Sequence, residues 1–191
     1  MRYTGPKDRL SRREGFDMFN AGAKLTRLQT PPGVHGPKGA KGSSQFGKQL
    51  REKQKVKRMY GMMEKQFETY MNEAFKSKGN TGEALLVKLE RRLDNVIYRL
   101  GFTSSRPAAR QAVSHRHVTV NEKRLNIPSY QVQIGDVIAV DSKIKVVVNP
   151  DLSVPLWLEK MANSGKMVKL PKREDIPEAI AEQDIVEFYS R

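Results

Sequence analysis

The stretch RRLDNVIYRLGFTSSRPAARQAVSHRHVTVNEKRLNIPSYQVQIGDVIAV, residues 91–140, decides the fold of this 191-residue chain. Apolar residues recur at helical spacing over 83–100, which predicts one long helix. A glycine follows, and Ser104 or Ser105, with a proline just beyond, is typical of the cap and first turn of a second helix. The stretch therefore predicts a helix corner.

Strand patterns follow this corner. Apolar and polar residues alternate through Val118 and Val120, and 132–140 and 143–149 have the composition of two further strands. Short strands after two helices predict a small α+β module over 91–149.

The flanking segments have weaker patterns. Prolines make 150–177 irregular, with Trp157 as a packing anchor, and the apolar residues of 184–191 predict a strand or a short docked tail. Three prolines and five glycines predict an extended loop over 30–48. Its lysines either become ordered on a polyanion, or the stretch is an ordinary flexible linker between residues 20 and 45. An apolar helical face over 67–75 predicts core packing.

Positive charge dominates the composition. Lys and Arg total 35 against 21 Asp and Glu, which gives a net charge of +14, and the excess lies in residues 1–60 and 91–150. Such segregation indicates surfaces that bind a polyanion. The chain has no cysteine, which excludes disulfides and thiolate zinc sites, and no window approaches the ~20 apolar residues of a spanning helix. We therefore expect a cytoplasmic protein without a metal or cofactor.

Two groups of cations have spacings that suit phosphate. Within 45–59, helix formers predominate and four cations recur along one side: Lys48, Arg51, Lys55 and Arg58. In the helix after the corner, Arg106 and Arg110 are four residues apart, so we expect them to project together from an exposed face. Helix N-terminal amides at 104–106 and the planar arginine forks would then bind phosphate oxygens.

Residues 91–140 closely resemble the RNA-binding module named after small-subunit ribosomal protein S-four, a module that also occurs in pseudouridine synthases and some aminoacyl-tRNA synthetases. Blocks outside it resemble the ribosomal S-four family itself, in the same order: RYTGPK at 2–7, LSRREG at 10–15, PPGVHG at 31–36, QLREKQKVKRMYG at 49–61, EKQF at 64–67 and IVEFYSR at 185–191. The chain is thus identified as a member of that family, of the bacterial or organellar type. It lacks the cysteines with which some members bind zinc.

The resemblance implies a structural rRNA-binding protein of the small ribosomal subunit. Family members bind early in assembly, at a junction of several rRNA helices in the subunit body. They contact ribosomal protein S-five and other small-subunit proteins, and they lie near the path by which mRNA enters, where they influence decoding accuracy. Some also bind their own messenger. No membrane partner is implied.

The resemblance also implies a helical domain that the module interrupts. We expect a basic, largely extended N-terminal region over 1–45, a helical domain built from 46–90 and about 172–191, and an S-four-type RNA-binding domain over 91–171. The fold class is then α+β, mainly helical in its N-terminal domain, with a helix corner on a small curved antiparallel sheet in the inserted module.

Cationic and hydroxyl side chains on the predicted surfaces are the expected rRNA contacts. They are Arg2, Lys7, Arg12, Arg13, Lys38, Lys41, Lys48, Arg51, Lys55, Arg58, Arg92, Ser104, Ser105, Arg106, Arg110, His115, Arg116, Lys123 and Arg124. Arg116 and Glu122 stand where the family often has glycine, at positions where a positive φ suits glycine better than other residues. We expect Arg116 to add a phosphate contact and Glu122 to weaken one.

Two patterns would suit an enzyme instead. Arg92, Leu93 and Asp94 match the Arg-Leu-Asp of pseudouridine synthases, in which the aspartate is the nucleophile, and His115 with His117 could form an acid–base pair for RNA cleavage. Inside an amphipathic helix, however, Asp94 is expected to form an ion pair or cap. No lysine or carboxylate constellation completes a site around the histidines, so we predict no enzymatic activity.

Overall fold

The chain divides into two compact units in the computed structural model, which describes residues 3–19, 27–36, 44–141 and 153–190. Unit 1 comprises Met1–Gly82 and Ala179–Arg191, and unit 2 comprises Glu83–Glu178. The described residues contain seven α-helices and a five-stranded antiparallel sheet. The predicted α+β class is confirmed.

Unit 1 is helical in its described part, with α1 at Lys7–Glu14, α2 at Gln45–Met59, α3 at Glu64–Phe75 and α7 at Glu182–Tyr189. Helix α1 is an exception within the region 1–45, which is expected to be largely extended. Its eight residues include neither proline nor glycine, and Gly15 ends the helix in the left-handed conformation (φ 63°).

The C-terminal segment is a helix docked on α2, so the alternative prediction of a strand is wrong. Ile185, Phe188 and Tyr189 have the i, i+3, i+4 spacing of one helical face. The centroid of the Phe188 ring lies 4.4 Å from Nζ of Lys53, a buried residue of α2. Lys53 Nζ donates to Glu64 Oε1 (2.5 Å), which also accepts from the Tyr189 hydroxyl (2.8 Å). These contacts attach α7 to α2 and α3.

The helix corner of unit 2 is formed by α5 (Leu93–Arg99) and α6 (Arg106–Ser114), which follow α4 (Thr81–Glu90). The prediction of one continuous helix over 83–100 is wrong, because the chain leaves the helix between α4 and α5. The predicted start of the second helix is confirmed: Ser105 is its N-cap and a proline lies in its first turn.

The break between α4 and α5 comes from tertiary pairing. Arg92 has an extended backbone (φ −63°, ψ 134°). The amides of Leu93 and Asp94 donate to the carbonyl oxygens of Tyr130 (2.9 Å) and Pro128 (3.2 Å). The chain thus exchanges helical hydrogen bonds for bonds to a distant segment, which helical periodicity does not reveal.

The sheet of unit 2 has the strand order β2-β1-β3-β5-β4 and is antiparallel throughout. Its strands are β1 (Val118–Val120), β2 (Lys123–Arg124), β3 (Val137–Val140), β4 (Leu158–Lys160) and β5 (Ser164–Met167), and a 3-10 helix follows at Arg173–Asp175. Strands β4 and β5 correct the prediction of an irregular stretch. The prolines lie outside both strands, so none removes a ladder hydrogen bond. The predicted strand at 143–149 lies outside the described residues.

One core joins the corner to the sheet. Leu93, Val96 and Ile97 of α5, and Leu100 just after it, pack with small residues of α6 and with inward-facing valines and isoleucine of β1 and β3. Trp157 is fully buried in this core, which confirms its predicted role as an anchor. The corner is therefore held rigidly on the sheet.

Candidate nucleic-acid interface

Arg92 lies inside unit 2 and not on its surface. Its side chain is 0% exposed, and Nε and Nη2 donate to the two carboxylate oxygens of Asp94 (3.2 and 3.1 Å). Because a fully buried guanidinium cannot reach a phosphate, Arg92 is corrected from an RNA contact to an internal partner. The same pair confirms the expected ion pair of Asp94.

Arg106 is also turned inward. Its side chain is 10% exposed, Nε donates to Asn95 Oδ1 (2.9 Å), and Nη2 donates to Glu178 Oε1 (2.6 Å). The guanidinium carbon lies 4.5 Å from the centroid of the Tyr98 ring. The expectation that Arg106 and Arg110 project together from an exposed face is therefore wrong, because Glu178 and Tyr98 hold Arg106 against the unit.

Glu178 links Arg106 to a second, buried arginine. Arg99 Nη2 donates to Glu178 Oε2 (2.7 Å) and to Glu90 Oε1 (2.7 Å). Burial alone would raise the pKa of Glu178, but the guanidinium groups of Arg106 and Arg99 hold it at about 2. Burial also raises the pKa of Glu90, but the charge and hydrogen bond of Arg99 outweigh it, so that the pKa is lowered. These four groups form an ion-pair network within unit 2.

Arg110 is more exposed than Arg106. Its side chain is 31% exposed, and Nη1 donates to Asp94 Oδ2 (3.3 Å). Ser104 is exposed beside the start of α6, where Ser105 has an extended backbone and its side chain makes no capping hydrogen bond. The corner thus offers one partly exposed guanidinium next to a helix N-terminus.

A group of exposed polar side chains lies beyond α6. His115 and Arg116 follow the helix, and Lys123 and Arg124 form β2 at the edge of the sheet. We call Arg116, Lys123 and Arg124 the hairpin cations. They agree with the sequence prediction in being accessible, which an RNA contact requires.

Arg116 ends α6 with a left-handed backbone (φ 62°). Its amide donates to the Val113 carbonyl (2.9 Å), and the His117 amide donates to the Ala112 carbonyl (3.1 Å), which is the Schellman arrangement. The position suits glycine, because a Cβ is unfavourable at this φ. The expected positive φ at Arg116 is confirmed.

Glu122 also has a positive φ. Asn121 (φ 48°) and Glu122 (φ 67°) form the two-residue turn between Val120 and Lys123, with the signs of a type I′ turn. Asn121 Oδ1 accepts from the Val137 amide (3.0 Å), which fixes the hairpin on β3. Lys123 therefore emerges from a well-defined turn.

We expect Arg116→Gly to stabilise unit 2 by about 1 kcal/mol and to weaken rRNA binding at the same time. The substitution relieves the left-handed strain but removes one cation, so the slope of log K against log salt should become shallower by about one unit. Urea unfolding followed by Trp157 fluorescence and a salt series of rRNA affinities would measure both effects. Glu122→Gly is the matched control, since it relieves similar strain without removing a cation. Equal losses of affinity in both variants would contradict the prediction.

The four cations predicted along one side of α2 lie partly against α1. Arg51 Nη1 lies 3.4 Å from Glu14 Oε1, and Arg58 Nη1 pairs with the same oxygen. Burial raises the pKa of Glu14, although Arg58 and Arg51 oppose this. Lys55 Nζ donates to Glu52 Oε1 (2.8 Å). Arg58 and Lys55 are therefore largely used in packing within unit 1, whereas Arg51 remains exposed.

The other predicted contacts of unit 1 are divided between surface and interior. Lys7, Arg13 and Lys48 are exposed. Arg12 is half-buried, and its Nε donates to the Thr30 carbonyl (2.9 Å), which attaches the segment after residue 27 to α1. Arg2, Lys38 and Lys41 lie outside the described residues.

Lys166 is one of the exposed cations that the sequence prediction did not include. Lys166 of β5 pairs with Val137 on the outer face of the sheet. The alternation of inward Gly165 and Met167 with outward Lys166 was the available signal, but the segment is short and flanked by prolines.

The described part of the chain has neither a membrane-spanning helix nor a metal-binding cluster. Among residues 3–19, 27–36, 44–141 and 153–190, no helix is long and apolar enough to span a bilayer. The same residues contain no group of three or more His, Cys, Asp or Glu that could hold a metal ion. His115 and His117 have ring centroids 6.2 Å apart, and His117 Nδ1 lies 3.8 Å from Asp141 Oδ2.

Comparison with known proteins covers the whole chain. Residues 2–90 match the family model described as "Ribosomal protein S4/S9 N-terminal domain", and residues 91–138 match the one described as "S4 domain". The chain is 49% identical to "Small ribosomal subunit protein uS4" of Delftia acidovorans over 205 residues, which cover 100% of this chain and 99% of that protein. The chain belongs to the uS4 family. The protein of the same name from Parabacteroides distasonis is 50% identical over 200 residues, and that from Marinobacter nauticus is 49% identical over 205, with the same coverage.

Membership of the uS4 family confirms the family resemblance found in the sequence. The helix corner, β1, β2 and the first half of β3 fall within the S4-domain match, whereas the end of β3, β4 and β5 lie beyond it. In this uS4-family chain, Arg110 and the hairpin cations therefore all belong to the S4 domain.

Proposed function

We propose that this uS4-family protein binds rRNA phosphates through exposed cations in each of its units, holds a multi-helix rRNA junction and nucleates assembly of the subunit body. Its family membership makes it a structural, rRNA-binding constituent of the small ribosomal subunit and not an enzyme. The alternatives of a uridine-modifying or RNA-cleaving enzyme are therefore set aside.

The observation that carries the proposal is the exposure of the hairpin cations on a rigid S4 domain. A-form RNA presents phosphates and 2′-hydroxyls to proteins more readily than base edges, so cations on a preformed surface suit it. The proposed contacts in unit 2 are Arg110, His115, Arg116, Lys123 and Arg124, with Ser104 beside them. Those in unit 1 are Lys7, Arg13, Lys48 and Arg51.

We expect the affinity for small-subunit rRNA to depend steeply on salt. With six or more phosphate contacts, log K should fall with log salt with a slope of about −4 or steeper, because bound counterions are released from the RNA. Filter binding or fluorescence anisotropy over a salt series would measure this slope.

A double variant, Lys123→Ala with Arg124→Ala, should make the slope shallower by about 1.5 units. Lys65→Ala is the matched control, because Lys65 is an exposed cation of α3 outside the proposed set. A salt-independent affinity, or equal effects of the two changes, would contradict the proposed interface.

Finer aspects of the function extend the proposal. We place ribosomal protein S-five, the incoming mRNA and the protein's own messenger among its partners, with an influence on decoding accuracy. Exposed apolar side chains of unit 2, at Ile134, Leu156, Val168 and Leu170, support a protein-binding surface. Because the named relatives are bacterial, we assign the protein to a cytoplasmic ribosome. Co-sedimentation with small subunits in a sucrose gradient, and gel shifts with S-five and the messenger, test these assignments.

A further inference from the structure

We propose that Asp94 is a positioning residue for rRNA binding, because it sets the orientation in which the Arg110 guanidinium meets a phosphate. This inference rests on the proposed function, in which Arg110 contacts RNA. It assigns a role in RNA binding to a carboxylate, although a negative charge by itself repels RNA.

Asp94 is held in one orientation by its surroundings. Its side chain is 7% exposed. Arg92 donates to both of its carboxylate oxygens, and the Asn95 amide donates to Oδ1 (3.0 Å). Because the carboxylate is clamped on both oxygens, it cannot rotate freely to follow a mobile partner.

Arg92 and Asp94 are themselves held by the segment that precedes β3. The Arg92 backbone forms an isolated antiparallel bridge with Gln131, and the Arg92 side chain is fully buried. The Asp94 amide donates to the Pro128 carbonyl (3.2 Å). Backbone pairing thus fixes the main chain from which the Arg92 and Asp94 side chains project.

Arg110 reaches this fixed carboxylate from the next helix. Its Nη1 donates to Asp94 Oδ2 (3.3 Å), while 31% of its side chain is exposed. Of the two guanidinium groups on Asp94, that of Arg110 is the one at the surface. A planar guanidinium grips phosphate oxygens in a particular orientation, so fixing one nitrogen restricts the direction that the group presents outward.

The same contact reduces the entropy that binding removes. A free arginine side chain loses rotamer freedom when it is immobilised on a phosphate, which weakens binding by about threefold to tenfold. In this chain the contact with Asp94 restricts Arg110 before the RNA arrives. Charge and preorganisation therefore have opposite effects at Asp94.

Because the two effects are opposite, they predict opposite changes in rRNA affinity when Asp94 is replaced. Asp94→Asn removes a negative charge, so a purely electrostatic effect would tighten rRNA binding. If Asp94 positions Arg110, binding instead weakens by about threefold to tenfold. Glu122→Gln is the matched control, since it removes an exposed negative charge of the same S4 domain and should leave affinity unchanged or slightly higher.

A double-mutant cycle separates this inference from the proposed function. Arg110→Ala alone should weaken binding, and Asp94→Asn should cause no further loss in the Arg110→Ala background. If Arg110→Ala has no effect, the contact in the proposed function is wrong and the inference fails with it. If Arg110→Ala weakens binding but Asp94→Asn tightens it, the inference alone is overturned.

A second variant and a direct readout cover the case in which Asp94→Asn does not fold. Asp94→Glu keeps the charge that neutralises Arg92 but moves the carboxylate by one methylene, so weaker binding in this variant also supports positioning. Unchanged binding in a folded Asp94→Glu protein overturns it. In RNA-free protein, the NMR order parameter of Arg110 Nε–H should fall in either folded variant, and an unchanged order parameter contradicts the inference.

Discussion

Removal of residues 181–191 is expected to unfold unit 1 while unit 2 keeps its structure. Without α7, Ile185, Phe188 and Tyr189 no longer cover α2, which loses roughly 3–5 kcal/mol of apolar burial. The Lys53 ammonium group would also lose its cation–π contact with the Phe188 ring. The buried Gln49 would lose its hydrogen bond to Glu187 (2.7 Å). Such a loss is comparable to the whole stability of a small domain.

Hydrogen exchange distinguishes the two units in this experiment. Amides of α2 and α3 should lose protection in the truncated chain, while amides of β1 and β3 keep theirs. Trp157 is the single tryptophan and is buried in unit 2, so its fluorescence transition should change little. A chain that lacks only residues 190–191 retains all of α7 and is the matched control. Undiminished protection of α2 after the longer deletion would show that α7 is dispensable.

Arg106→Ala is expected to destabilise unit 2 by about 3 kcal/mol, because removing one partner of a buried ion pair leaves the other without compensation. Arg106 is the largest of the influences that lower the pKa of Glu178, and it also bonds to Asn95 of α5. Urea unfolding followed by Trp157 fluorescence would measure the change. Arg110→Ala, one helical turn further on, is the control and should cost less than about 1 kcal/mol, since its ion pair is partly solvated.

The pH dependence of stability gives this prediction a second readout. In the native chain the pKa of Glu178 is about 2, against 4.5 for an ordinary glutamate, so its contribution is present above pH 4.5 and is lost as the pH falls toward 2. Without Arg106 the pKa of Glu178 should rise toward its ordinary value. The variant should therefore lose less stability than the native chain over that range. An identical acid profile in both proteins would contradict the assigned role.

The elements that sequence reasoning predicted correctly are those determined by local pattern. The corner between α5 and α6 follows from helical periodicity and from Ser105 with its following proline. Positive φ values at Arg116 and Glu122 follow from the glycines that the family often has there. The burial of Trp157 follows from its size and apolar character.

Other elements depend on partners far away in the chain. Helical spacing continues through Arg92, yet the helix breaks there to pair with residues 128–132. Strands β4 and β5 are short, and their proline-rich surroundings conceal their alternation. Residues 184–191 contain the apolar side chains of a docked tail, but α2 and α3 provide the surface on which α7 is helical.

The sequence alone determined the uS4 family, the α+β class, the excess of cations and the helix corner, because these depend on composition and on spacing along the chain. It could not determine which arginines face RNA. Arg92, Arg106 and Arg110 are chemically identical, and their exposure depends on the carboxylates that folding brings to them. Glu178 lies 72 residues from Arg106, so only the tertiary structure decided that Arg106 is turned inward while Arg110 stays at the surface.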